Sequence, residues 1–590
     1  MRKTYNIVVF LCLTFALVVS GMSDMSTVKA AQTKSNLTPV MSQMNQNQTL
    51  SLTRTISKGK IKGKKINSGK TMVWYGIPYG ATTAGVNRWK EPQPVASWSG
   101  TKKLTTKKGN AVRYSSTAAE GYTGTEDCLY VNVFRPYTKK TNLPVLVYLH
   151  SGGNTKGTAN VSFQKMAAKM KVVIVSVSFR VGAFGYLSHS ALRNGTDYEN
   201  SGNFALLDIR AALQWVQSEI EVFGGNRDNV TLSGFSAGAR NVLMCMASPI
   251  MKGLFHKAFV MSGGLTFCSP EEGEASVDSK LASVLVKRGT YSATADAKAA
   301  VDAMSDEEVR KLLYSLSTAE VAAMYKTLSF KLSNCPQCFT DGKVIPSSGK
   351  KAFTSGQYNR VPLLIGTDAT EFSFQGWTNG LKAFGDSTLS DSGFSQAQSM
   401  IQKGIYYGSQ MQSCFYLEEV ASTISQDNSH QPIYGFRTMW GTDQGIVNDA
   451  FYSSFVGAYH GQTKNFLIGK YTKYKTEYSP NAISTANKSG RTALTSQMRS
   501  YLKKFMLYGT PNGKSGTVWS AWSSADGISR IMHFDANFTT TTSAMVSEQY
   551  DMDTIFRTMR ANLTEDEYNN LINKVFANCY FMPDDVPAYR

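Results

Sequence analysis

FGGNRDNVTLSGFSAGAR, residues 223–240, decides how the rest of the chain is read. Val230 to Phe235 is a short apolar and β-branched run that reads as a buried strand, and Ala237 to Met246 reads as a helix. Between them stands Gly234-Phe235-Ser236-Ala237-Gly238, a GxSxG. A serine hydroxyl is a weak nucleophile until a neighbouring base takes its proton, and it must project from the backbone for a carbonyl to reach it. A sharp strand-to-helix turn achieves the projection, with glycine at 234 and 238 because larger side chains there would collide with the backbone. Five residues with three fixed recur by chance. The motif gains its weight from the strand before it and the helix after it.

Upstream of the turn, Leu206, Ile209, Leu213, Val216, Ile220 and Phe223 fall three or four apart. They form one apolar stripe on a helix that Gly224-Gly225 ends. LPVLVYLH (143–150) and VVIVSVSF (172–179) read as strands buried on both faces, and Ala258 to Met261, Val361 to Gly366 and Pro432 to Thr438 continue the series. Strands alternating with helices predict an α/β fold: a mostly parallel central sheet covered by helices on both faces. Residues 270–330 read as helical and charged and 375–430 as mixed, both being insertions over one end of the sheet.

The stretch from Phe223 to Gly238 resembles the serine signature of the type-B carboxylesterase and lipase family, which also contains the cholinesterases. Glu126-Asp127-Cys128-Leu129-Tyr130-Val131-Asn132-Val133-Phe134-Arg135-Pro136 resembles that family's EDCLYLNV segment. Fainter echoes lie at YGIPYG (75–80) with Arg88 and Trp98, at FRVGAFGYL (179–187) and at GTPNG (509–513). The matches run in family order over roughly residues 70–525. The resemblance implies an α/β-hydrolase fold and ester hydrolysis without a cofactor.

In such folds the base follows both nucleophile and acid in the chain, which leaves His430, His460 and His533. GAYHGQTKNF around His460 resembles the family's histidine loop, whereas His430 sits in a polar turn and His533 in a strand-like IMHF. The acid has two candidates in GTDATEF. The family places a glutamate five residues after the strand-ending glycine, here Gly366, which selects Glu371; Asp368 is expected to bond the turn backbone. Glu371 would fix the tautomer of His460 and stabilise its imidazolium. His150-Ser151-Gly152-Gly153-Asn154 resembles the family's HGGGF loop. By that resemblance the oxyanion hole is formed by the amides of Gly152, Gly153 and Ala237, each donor commonly worth about 3 kcal/mol. Ser151 stands where the family has its first glycine and Asn154 where it has an aromatic, so a more polar pocket beside the hole is expected.

Two departures matter. Most relatives carry glutamate immediately before the nucleophile, and this chain has Phe235. In cholinesterases that glutamate helps to hold a cationic substrate, so its loss argues against choline esters. The family also ties the cysteine of its EDCL motif to one about thirty residues upstream, and none occurs between Cys12 and Cys128. Cys128 is then free or paired elsewhere, with Cys245 and Cys268 as candidates. Cys335 and Cys338 form a CxxC without the second pair a zinc site needs, so no metal is expected.

The 590-residue chain opens with Arg2 and Lys3, an apolar run from Ile7 to Val19 and Val28-Lys29-Ala30. That pattern reads as an export signal at 1–30, cleaved after Ala30, giving a secreted protein. Residues 31–55 read as a flexible polar lead-in and 56–590 as one hydrolase domain. The net charge of +20 favours electrostatic association with an anionic wall or polymer. No nucleic-acid module is read, because basic runs such as KGKIKGKK (58–65) lack interleaved aromatics; oligomeric state is not legible. The expected function is a serine carboxylic-ester hydrolase working through an acyl-enzyme on a small or polymer-borne ester. The alternatives are an inactive binding or adhesion protein on the same scaffold, or a specialised feruloyl or acetyl esterase or a lipase.

Overall fold

The computed structural model describes residues 50–582 apart from 327–335, 385–390, 472–478, 480, 514–515, 524, 526 and 578. The expected export signal, most of the polar lead-in and Cys335 lie outside the described residues. The lead-in ends earlier than expected: Thr53–Ile56 already form a strand, β1, whose alternate residues Arg54 and Ile56 are buried.

Among the described residues fifteen further strands follow: β2 (Gly59–Lys62), β3 (Lys64–Ile66), β4 (Thr71–Pro78), β5 (Thr101–Lys103), β6 (Arg113–Tyr114), β7 (Tyr122–Thr123), β8 (Tyr130–Pro136) and β9 (Leu143–Leu149). They continue with β10 (Val173–Ser178), β11 (Gly225–Phe235), β12 (Lys257–Met261), β13 (Leu363–Asp368), β14 (Ile433–Thr438), β15 (Ile531–Phe534) and β16 (Ala544–Val546). Eleven make one sheet in the order β16-β15-β14-β13-β12-β11-β9-β10-β8-β4-β3. The seven from β15 to β10 run parallel, and antiparallel strands close both sides. This is the mostly parallel α/β architecture that the alternation of strands and helices predicts, and it agrees with the α/β-hydrolase fold that the resemblance implies.

Alternation along each strand divides the core. Val145, Val147 and Leu149 of β9 pack with Val260 and Ile365 on one face. Leu146 and Tyr148 pack with Phe259, Leu364 and Phe436 on the other, beneath the helix Lys488–Tyr508. Both faces are therefore covered, which is why these strands read as continuous apolar runs.

Two readings need correction. β11 begins at Gly225, which pairs with Leu143 before an irregularity that resumes at Val230; the polar residues 226–229 hide it in the sequence. The stretch 375–430 is helical as far as Ser425 wherever it is described, with helices Ser373–Phe384, Asp391–Ser413 and Glu419–Ser425, and only residues 426–430 turn. Its glycines weaken the helical pattern, yet they let the first two helices meet closely. A Cβ on Gly376 or Gly380 would lie 2.6 Å from Ile405 or Ile401. Cys128, Cys245, Cys268, Cys338, Cys414 and Cys579 are free thiols, so Cys128 has neither candidate partner.

Candidate active site

Four loops at the carboxyl ends of β9, β11, β12 and β13, together with the loop carrying His460, bring the expected residues together. Ser236 directly follows β11 with φ 58° and ψ −123°, a conformation that costs a non-glycine residue roughly 1–3 kcal/mol and persists only where the surroundings enforce it. They do so here. The Ser236 N–H donates to Met261 O at 2.9 Å, and its carbonyl accepts from Arg240 N at 3.0 Å. A Cβ on Gly234 would lie 2.1 Å from Gly238 O, and one on Gly238 2.3 Å from Leu149 O. The helix Ala237–Ala247 starts directly after the serine, so the Ala237 N–H lies in a first turn without an intrahelical acceptor.

The loop after β9 turns through Gly152 and Gly153, both with positive φ (118° and 63°). The Gly152 carbonyl accepts from the N–H groups of Thr155 and Lys156 at 3.1 Å each. Among the described residues the N–H groups of Gly152 and Gly153 donate to nothing, leaving donors of the kind an oxyanion needs. His150 is buried and stacks on Phe179 with ring centroids 4.1 Å apart; burial pushes its imidazole down to about 4. Asn154 corrects an expectation. It is buried, and its side chain exchanges two hydrogen bonds with Asn241 (3.1 and 3.0 Å). Its amide is thus spent inside the protein and does not make a pocket polar.

Glu371 is buried. Its Oε2 bonds His460 Nδ1 at 2.5 Å, while its Oε1 accepts from Ser262 Oγ at 2.5 Å and Asp368 N at 2.8 Å. Both carboxylate oxygens are engaged, which fixes the carboxylate and through it the imidazole. Ser262 sits in a positive-φ turn after β12; Ser-Gly-Gly at 262–264, beside the elbow, was the signal that could have revealed it. Asp368 does bond backbone, more extensively than a local turn would. It accepts from the N–H groups of Gly461, Gln462 and Thr463 (2.8, 3.0 and 2.9 Å) and from Thr463 Oγ1 at 2.6 Å. It therefore clamps the backbone directly after His460. Burial and the neighbouring Glu371 push the Asp368 carboxyl up to about 7, while its donors pull the other way. Thr370 N bonds Ala458 O at 2.9 Å, so the acid and histidine loops are also joined through backbone.

Phe235 touches the same histidine. Its ring centroid lies 4.7 Å from that of His460 at a 40° tilt, and Lys464 Nζ lies 4.9 Å from the Phe235 ring. Gly461 is needed beside it, because a Cβ there would lie 2.6 Å from Phe235 Cζ. No hydrogen bond joins Ser236 Oγ to His460 among the described residues, although the Phe235 contact puts the imidazole next to the nucleophile's turn; such bonds often form only with substrate present. His430 and His533 are remote from this constellation: His430 Nδ1 bonds Gln431 O, and His533 Nε2 faces Glu548 at 3.8 Å. Tyr416, 6.2 Å from His460 between ring centroids, lies inside a helical stretch without any sequence signal.

Other motif residues pair structurally. Arg88 grips Glu126 through two bonds of 3.1 and 2.6 Å, and Arg180 holds Asp208.

Residues 50–423 match a model of the carboxylesterase family. The chain is 35% identical over 324 residues to the para-nitrobenzyl esterase of Bacillus subtilis (strain 168), covering 54% of this chain and 62% of that protein. It is 32% identical over 341 residues to carboxylesterase 1C of Rattus norvegicus, covering 54% and 57%. These matches thus span about 60% of the length of the curated relatives. Among solved structures, a PNB esterase superposes with a TM-score of 0.63 at 24% identity, over 86% of this chain and 99% of that one. A thermophylic PNB esterase gives 0.63 at 25%, over 84% and 97%. The family match ends before His460, which rests on the geometry above.

Proposed function

Because the chain belongs to the carboxylesterase family, we propose that it is a serine carboxylic-ester hydrolase that works through an acyl-enzyme. The observation that carries this reading is the Glu371–His460 bond of 2.5 Å, held beside a serine on a strained strand-to-helix turn.

In the proposed cycle His460 takes the proton of Ser236 as Oγ attacks the ester carbonyl. With Nδ1 bonded to Glu371, the Nε2 of His460 is free to act as base, and the carboxylate stabilises the imidazolium that forms. The N–H groups of Gly152, Gly153 and Ala237 receive the developing oxyanion. The imidazolium then returns its proton to the departing alkoxide, leaving the acyl group on Ser236. Water, activated by the same imidazole, releases the acid and restores the serine.

Substrates are read as neutral esters. No carboxylate stands at position 235 to attract a cation, and the Lys464 ammonium already lies 4.9 Å from the Phe235 ring. Hydrolysis of p-nitrophenyl butyrate by the native chain and by Ser236→Ala tests the reading. We expect turnover in the native protein and a loss of at least about 10³-fold in the variant. No native turnover, or a variant that retains it, overturns the proposal. A choline ester should be hydrolysed at least tenfold less efficiently than its uncharged isostere.

A further inference from the structure

Charge is unevenly distributed. Residues 51–110 hold 13 lysines and arginines against one acid, Glu91, a net +12 of the chain's +20; the 480 residues after them carry only +5. The fold gathers this stretch along one edge of the molecule. β2 lies between β1 and β5, with Lys60 beside Thr101 and Lys62 beside Lys103. Ile61 is buried while Lys60, Lys62 and all of β5 are exposed. Leu104 N bonds Lys62 O at 2.8 Å and leads the chain on to Lys107 and Lys108. β3, carrying Lys64 and Lys65, is the outermost strand of the central sheet.

Little on this edge neutralises it. Lys108 faces Asp127 at 3.6 Å; among the described residues Lys60, Lys62, Lys65, Lys102, Lys103 and Lys107 have no carboxylate within ion-pair distance. Alternate residues of a strand lie about 7 Å apart, inside the Debye length of about 8 Å at physiological ionic strength. Their fields therefore add, and an external polyanion relieves the repulsion.

We propose that this edge is a docking surface for a linear polyanion, a chain of repeated phosphate charges without bases. Nucleic acid fits less well because the aromatic rings here are covered by ammonium groups. Lys102 Nζ lies 4.0 Å over Trp98 and Lys65 Nζ 3.9 Å over Tyr137, where base stacking would need open faces. A membrane fits less well because the apolar residue of β2 points inward. Five strand steps separate β3 from β11, roughly 24 Å at about 4.8 Å each, so a polymer on this edge leaves Ser236 accessible.

The test is binding of the full chain to a fluorescent linear polyphosphate of defined length, over a salt series. The edge variant carries Lys60→Gln, Lys62→Gln, Lys102→Gln and Lys103→Gln. The control carries Lys171→Gln, Lys252→Gln, Lys287→Gln and Lys574→Gln, four exposed lysines outside residues 51–110. The edge variant should bind at least tenfold more weakly at low salt, with a log–log salt slope smaller by about three, and the control should stay within about twofold of native. Replacing the same edge lysines by arginine should retain binding, which guards against misfolding as the cause. Absent native binding, equal losses in edge variant and control, or tighter binding of single-stranded DNA or anionic vesicles would each overturn the proposal. Binding is measured without substrate, so the result is independent of the ester-hydrolase reading.

Discussion

Replacing Phe235 by glutamate asks what the ring against His460 contributes. A carboxylate in place of the ring would stand about 5 Å from the imidazole, given the 4.7 Å separation of the ring centroids. At an effective dielectric of about 20 such a pair is worth ~3 kcal/mol. Lys464 lies at 4.9 Å from the same ring and would draw the carboxylate comparably, leaving a net effect of roughly 1.5 kcal/mol, about one pH unit. The acid limb of the kcat/KM profile for p-nitrophenyl butyrate should therefore move about one unit upward between pH 5.5 and 9. At pH 8 the loss of the aromatic contact, about 1 kcal/mol, opposes the better-stabilised imidazolium, so kcat/KM should stay within about tenfold of native. Phe235→Leu removes the ring without adding charge: kcat should fall several-fold with the limb unmoved. Adding Lys464→Met to Phe235→Glu should enlarge the displacement. An unmoved limb in Phe235→Glu, or a loss beyond about 100-fold at pH 8 in a folded protein, would refute the reasoning.

Asp368→Asn keeps the shape of the clamp but offers an NH₂ to N–H donors that now meet a carboxylate oxygen. Stability in urea should fall by roughly 2 kcal/mol and kcat by at least tenfold with KM little changed, read from denaturation curves and steady-state kinetics. His150 supplies a pH test. Its imidazole is held down to about 4 by burial against an ordinary 6.5, so the unfolded chain binds the extra proton first. The stability it contributes is complete above pH 6.5 and lost as pH falls toward 4, by ~2 kcal/mol at pH 5. Urea melts at pH 7 and pH 5 should show this slope reduced in His150→Phe; an undiminished slope would assign the effect elsewhere.

What was legible in the sequence follows from where each signal lies. The parallel strands are apolar on both faces and announce themselves. β8 does not, because its run is broken by Asn132 and Arg135, whose polar atoms are satisfied only in the folded chain. Asn132 accepts from Gly76 N, and Arg135 donates to the carbonyls of Phe223, Pro136, Thr138 and Lys140. Ser236, Glu371 and His460 were readable from local motifs and their order. The grip of Asp368 on residues 461–463 and the turning of Asn154 toward Asn241 join segments about 90 residues apart, and no local pattern encodes such a partner. Phe235 was visible as a departure, while its contact with His460 required the fold.

The free thiols bear on how this protein is made. Burial raises Cys128, Cys245, Cys414 and Cys579 far from the range where thiolates form at neutral pH. With no cross-link among the described cysteines, their folding waits on no oxidant and no isomerase. Material folded under reducing conditions should match material folded under oxidising conditions in activity and melting temperature, and storage with reductant should change neither.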